Sequence, residues 1–129
     1  MTAVRTPIAP EVILSYRQAA RERWQAETVR LAGRRERAWI IAHEAAARLK
    51  RDYGIQRVVV FGSLAQPGRF HAWSDIDLAA WGLTNANWLK AMSAARELGE
   101  REGLEVNLVD VACCAPGLLT AIERDGVTL

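Results

Sequence analysis

The chain has 129 residues, half of them hydrophobic and a quarter charged, which are the proportions of one folded globular domain rather than of a disordered chain. No apolar run approaches the roughly 20 residues of a membrane span, and the first residues lack the apolar core of a secretory signal. We therefore expect neither secretion nor a membrane partner. Cys113 and Cys114 are adjacent and have no other cysteine to pair with, so we expect free thiols and a cytoplasmic location.

Charge is distributed unevenly along the chain, although the formal net charge is only +2. Residues 1–53 carry eleven Arg or Lys residues against six acids, and the remainder carries six against nine. A basic segment of this kind can attract an acidic partner, while a solvated helix face is the simpler interpretation. Binding of nucleic acid is not favoured, because aromatic and basic residues are not interleaved and no nucleic-acid-binding module is present.

The first predicted element is a helix over Glu11 to Tyr53, with Pro10 at its front and Gly54 at its end. Gly33 is its only interruption, so either one long helix or two segments meeting near 32–33 are expected. This helix is longer than a small sheet requires. We therefore predict an N-terminal basic helical region, residues 1–54, that contacts a partner or a second copy of the chain, followed by a core over 55–129.

The remaining elements alternate between strands and helices. Arg57 to Phe61 is a continuous apolar run rich in valine, which is typical of a buried central strand. The pattern predicts a small α/β (α+β) domain with a mixed sheet of three to four strands. The other predicted elements are a short helix after Gly62–Ser63, a strand over Asp75–Trp81, a helix over Asn85–Glu102 capped by Thr84, a strand over Leu104–Val111, a helix over Pro116–Arg124, and a last extended segment, Val127–Leu129.

Two carboxylates mark the second strand. Asp75 and Asp77 are separated by one residue, so on a strand both side chains point to the same face. Two adjacent carboxylates repel each other unless a positive charge lies between them. Mg²⁺ is such a charge, since it takes oxygen ligands and is commonly held by one or two carboxylates together with substrate phosphates. The pair therefore predicts a magnesium site.

A glycine and a hydroxyl follow the first strand. Gly62 allows close approach of the backbone, and the free amides at the start of a helix can donate to a phosphate, as can the Ser63 hydroxyl. Many strand-to-helix turns contain Gly-Ser, so the pair alone is a weak signal. The S-D-I-D-L segment begins at Ser74, eleven residues after Ser63, and makes the signal stronger, because the two motifs then lie at the ends of neighbouring strands.

The motif G-S-x(11)-D-x-D resembles the signature of minimal nucleotidyltransferases in the DNA polymerase β superfamily. The resemblance covers about Arg57 to Leu129 and implies that Gly62 and Ser63 bind the triphosphate of ATP. It also implies that Asp75 and Asp77 are catalytic and hold Mg²⁺. Many such proteins are antitoxins of a HEPN-domain toxin and transfer AMP to that partner, which silences its RNase activity. The resemblance therefore implies a HEPN-type partner for this chain.

Other residues of the loop before the second strand are assigned from charge and position. Arg69 can neutralise phosphate charge, and an ordinary exposed arginine is the alternative. We predict that Ser74 orients the loop and that His71 and Trp73 pack it. Stacking of an aromatic side chain on the base is a second possibility for this segment.

The sequence departs from the family pattern at the third acid. The family has V-D-L-V-D on the third strand, whereas this chain has Asn107 at the position of the first aspartate. Asparagine offers a neutral oxygen and cannot act as a base. Asp110 is three residues further and is expected on the opposite face, and Glu105 is one pleat, about 7 Å, away.

Two functions remain open on the sequence. The first is a Mg²⁺-dependent nucleotidyltransferase that moves AMP from ATP to a hydroxyl of a partner protein, with Asn107 lowering its rate. The second is a binding module that has lost efficient catalysis and neutralises its partner by docking. The presence of all four motif residues favours the enzyme.

Overall fold

The computed structural model describes residues 7–129. The first helix, α1, is unbroken from Pro10 to Tyr53 and passes through Gly33 without interruption. The prediction of a helix over this range is confirmed, in its single-helix form. The chain divides into two compact units between Ala32 and Gly33, and the boundary predicted at residue 54 stays a prediction.

The apolar side chains of α1 before Gly33 include many that are exposed to solvent. From residue 7 to residue 30 every residue is exposed. Helical stability in proteins comes mostly from packing of one apolar face, so a solvated helix of this kind is marginal alone. The large exposed apolar residues of this part include Val12, Ile13, Leu14, Tyr16, Trp24 and Val29.

The unit from Gly33 onward contains a four-stranded sheet in the order β3-β2-β1-β4. Strand β1 is antiparallel to both β2 and β4, while β2 and β3 are parallel, so the mixed sheet predicted from the sequence is confirmed. The elements that follow α1 are β1 (Arg57–Phe61), a 3₁₀ turn (Gly62–Leu64), β2 (Ile76–Trp81), α2 (Trp88–Glu100), β3 (Val106–Asp110), a 3₁₀ turn (Val111–Cys113), α3 (Pro116–Asp125) and β4 (Val127–Thr128).

The two faces of the sheet differ. One face is a closed apolar core, in which α2 packs so closely on β3 that a Cβ on Gly99 would lie 2.7 Å from Val106 Cγ2. The opposite face is covered in part by α3, whose Ile122 packs with Val59 and Ala79. The buried apolar residues of the first face are Val58, Val60, Ile76, Leu78, Ala80, Val106 and Leu108.

The start of α2 differs from the prediction. The helix begins at Trp88 rather than Asn85, and Thr84 does not cap it. The reason is a turn over residues 84–87, in which Asn87 Oδ1 accepts from the Thr84 N–H at 2.7 Å and Asn87 Nδ2 donates to the Tyr53 carbonyl at 3.0 Å. Within residues 7–129 α1 is long enough to span a bilayer, but no helix there combines such length with sufficient apolar character.

Candidate functional site

The residues singled out from the sequence gather at one end of the sheet, which we call the polar end. It consists of the C-terminal end of β1 and the N-terminal ends of β2 and β3. These ends coincide because β1 runs antiparallel to β2 and β2 runs parallel to β3. The register pairs Phe61 with Asp77 and Asp77 with Asn107. Phe61, Asp77 and Asn107 therefore lie in one lateral row across three adjacent strands, and Gly62 directly follows Phe61.

Gly62 is in direct contact with the Asp77 carboxylate. A Cβ built on Gly62 would lie 2.5 Å from Asp77 Oδ2, which is closer than Cβ atoms approach such an oxygen in proteins. The backbone at Gly62 also has φ of +72°, a left-handed conformation that favours glycine. Two independent constraints thus require glycine here. The backbone of the Gly-Ser corner and the second aspartate of the D-x-D motif form a single surface.

Asn107 is the other neighbour of Asp77. Its Nδ2 donates to Asp77 Oδ1 at 3.4 Å, and both side chains are half-buried. An aspartate at position 107 could not make this contact without a proton or a cation between the two carboxylates. With its NH₂ turned to Asp77, Asn107 retains its Oδ1 as a neutral acceptor.

The electrostatics of the pair are asymmetric. Burial raises the pKa of Asp77 above its ordinary value of 3.8, the negative charge of Asp75 raises that pKa further, and the hydrogen bond from Asn107 opposes both effects. Asp75 lies immediately before β2 and is half-buried as well. The two carboxylates thus act on each other, as expected for residues i and i+2 on one face.

The short helix predicted after Gly62–Ser63 is a tight one. It is a single 3₁₀ turn, Gly62–Leu64, so the aligned dipole of a longer helix is absent from this corner. The first amides of such a turn have no partner within it and can donate to an anion. Ser63 is half-buried beside them, whereas Arg69 is exposed in the following loop. Their roles in nucleotide binding stay predictions.

The loop before β2 is closed by Ser74. Its Oγ accepts from the His71 N–H at 2.9 Å, and its own N–H donates to the His71 carbonyl at 3.0 Å. The prediction that Ser74 orients the loop is confirmed. The prediction that His71 and Trp73 pack the loop is wrong for their side chains, since both residues are exposed and Trp73 is 85% exposed. The His71 Nδ1 accepts from the Trp73 N–H at 3.2 Å.

The other two acids considered for the third position lie elsewhere. Asp110 pairs in register with Ala80, three residues beyond Asp77, and its carboxylate accepts from the Ala112 N–H at 3.0 Å. It therefore caps the second 3₁₀ turn and does not replace an acid at position 107. Glu105 contacts β2 through its carbonyl, which accepts from the Ile76 N–H at 2.8 Å, and its side chain is exposed.

Arg34 is a neighbour of this region that the sequence analysis missed. It lies on α1, and its guanidinium donates to the carbonyls of Ser74 at 3.3 Å and Gly103 at 3.4 Å. Ser74 directly precedes Asp75, and Gly103 precedes β3. No sequence signal identifies this contact, because Arg34 stands in an arginine-rich stretch forty residues before its partner in the loop.

The donor set at the polar end suits Mg²⁺. Within residues 7–129 no three His, Cys, Asp or Glu residues come close enough to hold a metal ion, so the site has two carboxylates and not three. Asp75, Asp77 and the Asn107 amide would supply oxygen ligands only, which is what a hard divalent cation prefers. The carboxylate oxygen of Asp77 also lies against the glycine corner, where substrate phosphates would complete the coordination.

Comparison with known families assigns the chain. Residues 44–129 match the family model described as polymerase beta, nucleotidyltransferase, and the chain belongs to this family. The match contains the whole sheet and all the site residues predicted from the sequence. None of the curated proteins compared with the chain matches it.

Solved structures similar to this chain include toxin–antitoxin complexes. A toxin–antitoxin with AMP-PNP is 27% identical, with a TM-score of 0.52 over 66% of this chain and 69% of the other. A tyrosine-to-alanine mutant of the MntA-HpeT toxin–antitoxin is 25% identical, with a TM-score of 0.51 over 67% and 70%. A more distant structure, of a tri-AMPylated Shewanella oneidensis HEPN toxin in complex with an MNT antitoxin, is 21% identical with a TM-score of 0.47 over 70% of each chain.

Proposed function

We propose that this protein is a Mg²⁺-dependent nucleotidyltransferase that transfers AMP from ATP to a hydroxyl group of a partner protein, and that it acts as the antitoxin of a HEPN-type RNase toxin. The observation that carries the proposal is the contact between Gly62 and Asp77, which joins a phosphate-binding corner to a metal-binding carboxylate. The family assignment and the similarity to a toxin–antitoxin with AMP-PNP support it.

In this proposal each residue of the polar end has one task. The backbone amides of Gly62 and Ser63 and the Ser63 hydroxyl grip the terminal phosphates, and Arg69 neutralises phosphate charge from the loop. Asp75 and Asp77 would hold Mg²⁺, which would offset the negative charge of the triphosphate and polarise its oxygens. Asn107 keeps the Asp77 carboxylate in place through its hydrogen bond.

The reaction is an in-line displacement at the α-phosphorus. The acceptor oxygen forms a bond to that phosphorus while the bond to the bridging oxygen of the β-phosphate breaks, and pyrophosphate leaves. The acceptor hydroxyl must lose its proton, which passes to solvent water because Asn107 cannot take it. Loss of a general base typically costs about 10²–10⁴-fold in rate, and a tightly bound partner compensates in part because its hydroxyl is held in place.

A catalytically impaired docking module is the second candidate, and Asn107 is the observation that favours it. Such a module would retain the fold and the ATP corner but neutralise its partner through contact alone. In both proposals the exposed apolar side chains of α1 before Gly33 form the docking surface for the partner, because a helix so fully solvated gains stability from covering them. A second copy of the chain is the other occupant to test.

Two measurements test the enzyme proposal. ATP with Mg²⁺ should raise the melting temperature of the chain, and the double variant Asp75→Ala and Asp77→Ala should abolish that shift. Asp110→Ala is the matched control, since its carboxylate caps a turn away from the corner, and it should retain the shift. A double variant that still responds to ATP would place the nucleotide elsewhere.

The transfer itself is measured by mass spectrometry on the partner encoded beside this protein. Incubation with ATP, Mg²⁺ and this protein should add the mass of one or more AMP groups to the partner. Unmodified partner at every metal and incubation time, together with suppression of its RNase activity by the Asp75→Ala and Asp77→Ala variant, would select the docking module instead.

A further inference from the structure

Arg34 ties α1 to the two segments that lead into the site strands. Its Nη2 donates to the carbonyl of Ser74 and its Nη1 to the carbonyl of Gly103. The first carbonyl belongs to the residue before Asp75, and the second lies just before β3, which carries Asn107. One guanidinium thus spans the entries to β2 and β3 at the polar end of the sheet.

The remainder of the Arg34 environment indicates that its role is not the pairing of charge. No carboxylate among the described residues forms an ion pair with Arg34. Its Nε is buried and has no hydrogen-bond partner among these residues. An unpaired buried donor is destabilising. The contacts of Arg34 are therefore its two hydrogen bonds to main-chain carbonyls.

The geometry of the contacts suits arginine. The guanidinium is a rigid planar fork with five donors and engages both carbonyls at once, whereas the lysine ammonium lacks this fixed fork. The loop on the Ser74 side is otherwise closed by the local hydrogen bonds between Ser74 and His71. Arg34 ties this closed loop to α1.

We propose that Arg34 is a positioning residue of the site: by holding the backbone at Ser74 and Gly103 it sets Asp75 and Asn107 for binding of the metal–nucleotide complex. The inference rests on the proposed function for what the site binds. Arg34 precedes residue 44, where the family match begins, so the helical segment before the match contributes to the site. Residues that orient metal ligands typically change metal affinity by 10–100-fold when they are lost.

The backbone part of the proposal is tested on the chain alone. Arg34→Met removes the donors and keeps most of the length, Arg34→Lys keeps the charge and one contact, and Arg35→Met is the matched control at an exposed neighbour. Hydrogen exchange at the Ser74 and Ile76 amides should accelerate about tenfold in Arg34→Met, less in Arg34→Lys, and not in Arg35→Met. Unchanged exchange in Arg34→Met would overturn the proposal.

The metal part is tested by titrating Mg²⁺ at fixed ATP and measuring the melting temperature. The Mg²⁺ concentration for half of the shift should rise about tenfold in Arg34→Met, recover in part in Arg34→Lys and stay unchanged in Arg35→Met. Faster exchange with an unchanged Mg²⁺ midpoint would make Arg34 a structural contact only and overturn its positioning role. If ATP and Mg²⁺ do not change the melting temperature of the wild-type chain, the proposed function is refuted. The hydrogen-exchange experiment still decides whether Arg34 holds the backbone.

Discussion

The two faces of strand β2 differ although they share one backbone. On one face Ile76, Leu78 and Ala80 are each 0% exposed and belong to the apolar core. On the other face Asp77 is half-buried beside Asn107, with Asp75 just before the strand. The comparison shows how a small domain can place charge at a fixed point: the buried face sets the register, and the register then sets the position of Asp77 on the other face. Ile122 covers that face at Ala79 but Asp77 stays partly exposed, and we call it the open face.

The difference between the two faces also predicts that substitutions on them have different effects on stability and on ligand binding. Removing a side chain from the closed face should lower the free energy of unfolding and leave the chemistry of the corner intact where the fold survives. Removing a charge from the open face should abolish ligand binding with little loss of stability. The raised pKa of the half-buried Asp77 carboxylate means that burial already destabilises its charged form in the folded state. The variants below test this division, beginning with the largest effect.

Leu78→Ala should have the largest effect on stability. A fully buried leucine truncated to alanine typically costs about 2–5 kcal/mol, through lost burial and the cavity left behind. Urea unfolding monitored by circular dichroism measures the loss. Leu89→Ala on α2 is the matched control, because Leu89 is exposed and its truncation should change stability by less than about 0.5 kcal/mol. Similar losses for both variants would contradict the closed core.

Asn107→Asp restores the missing acid to the open face and should have the next largest effect. If the lost acid limits the proposed transfer, the rate should rise by about 10²-fold, the lower end of what a general base contributes. The stability without Mg²⁺ should fall, because a third negative charge joins Asp75 and Asp77.

The rate of AMP transfer and the urea midpoint measure the two effects of Asn107→Asp. Asp110→Asn is the control and should leave the rate unchanged, since Asp110 is engaged with the Ala112 amide. A lower rate in Asn107→Asp would mean that the hydrogen bond from Asn107 to Asp77 matters more than the additional carboxylate.

Gly62→Ala tests the contact between corner and carboxylate. The new methyl group would collide with Asp77 Oδ2 in a backbone conformation that alanine tolerates poorly, so stability should fall by about 1–2 kcal/mol. The response of the melting temperature to ATP and Mg²⁺ should disappear. Gly68→Ala is the control, because Gly68 also has a positive φ but open space around its Cα. It should share the backbone cost and retain the ATP response.

Much of the fold follows from local pattern. The run Val58–Val60 is apolar on both faces, which occurs in a strand buried on both sides, and β1 has the predicted bounds. The sequence does not decide whether α1 is continuous through Gly33. One glycine costs about 1 kcal/mol in a helix, and tertiary packing decides the outcome. The predicted start of α2 was wrong because Asn87 contacts Tyr53, thirty-four residues earlier, and no local sequence pattern indicates this contact.

The site could be predicted only in part for the same reason. Gly62, Asp75 and Asp77 carry a spacing that is visible in the sequence, and the strand register brings Gly62 and Asp77 together. Arg34 and the exposed position of Trp73 could not be predicted. A guanidinium that binds two main-chain carbonyls leaves no pattern in residue types, and whether a loop tryptophan is covered depends on which elements surround it.

The smallest expected effect concerns the pH dependence of stability through Asp77. Burial and the charge of Asp75 raise the pKa of folded Asp77 above its ordinary value of 3.8. Between 3.8 and that raised pKa the folded state binds more protons than the unfolded state, so ionisation of Asp77 lowers stability as pH rises through this window. Above the window the deficit is constant. Asp77→Asn removes it and should stabilise the ligand-free chain at pH 7, with no gain below pH 3.8.

The gain should stay below about 1 kcal/mol, because solvent screens a half-buried carboxylate. Urea unfolding of both chains between pH 3 and pH 7 in EDTA measures it. Asp125→Asn is the control, because the pKa of Asp125 is shifted in the opposite direction. The hydrogen bond from Arg124 lowers that pKa, so Asp125→Asn should not be more stable than the wild type at pH 7. A loss of stability in Asp77→Asn at pH 7 would mean that the hydrogen bond from Asn107 outweighs burial, and the open face would then contribute to the fold as the closed face does.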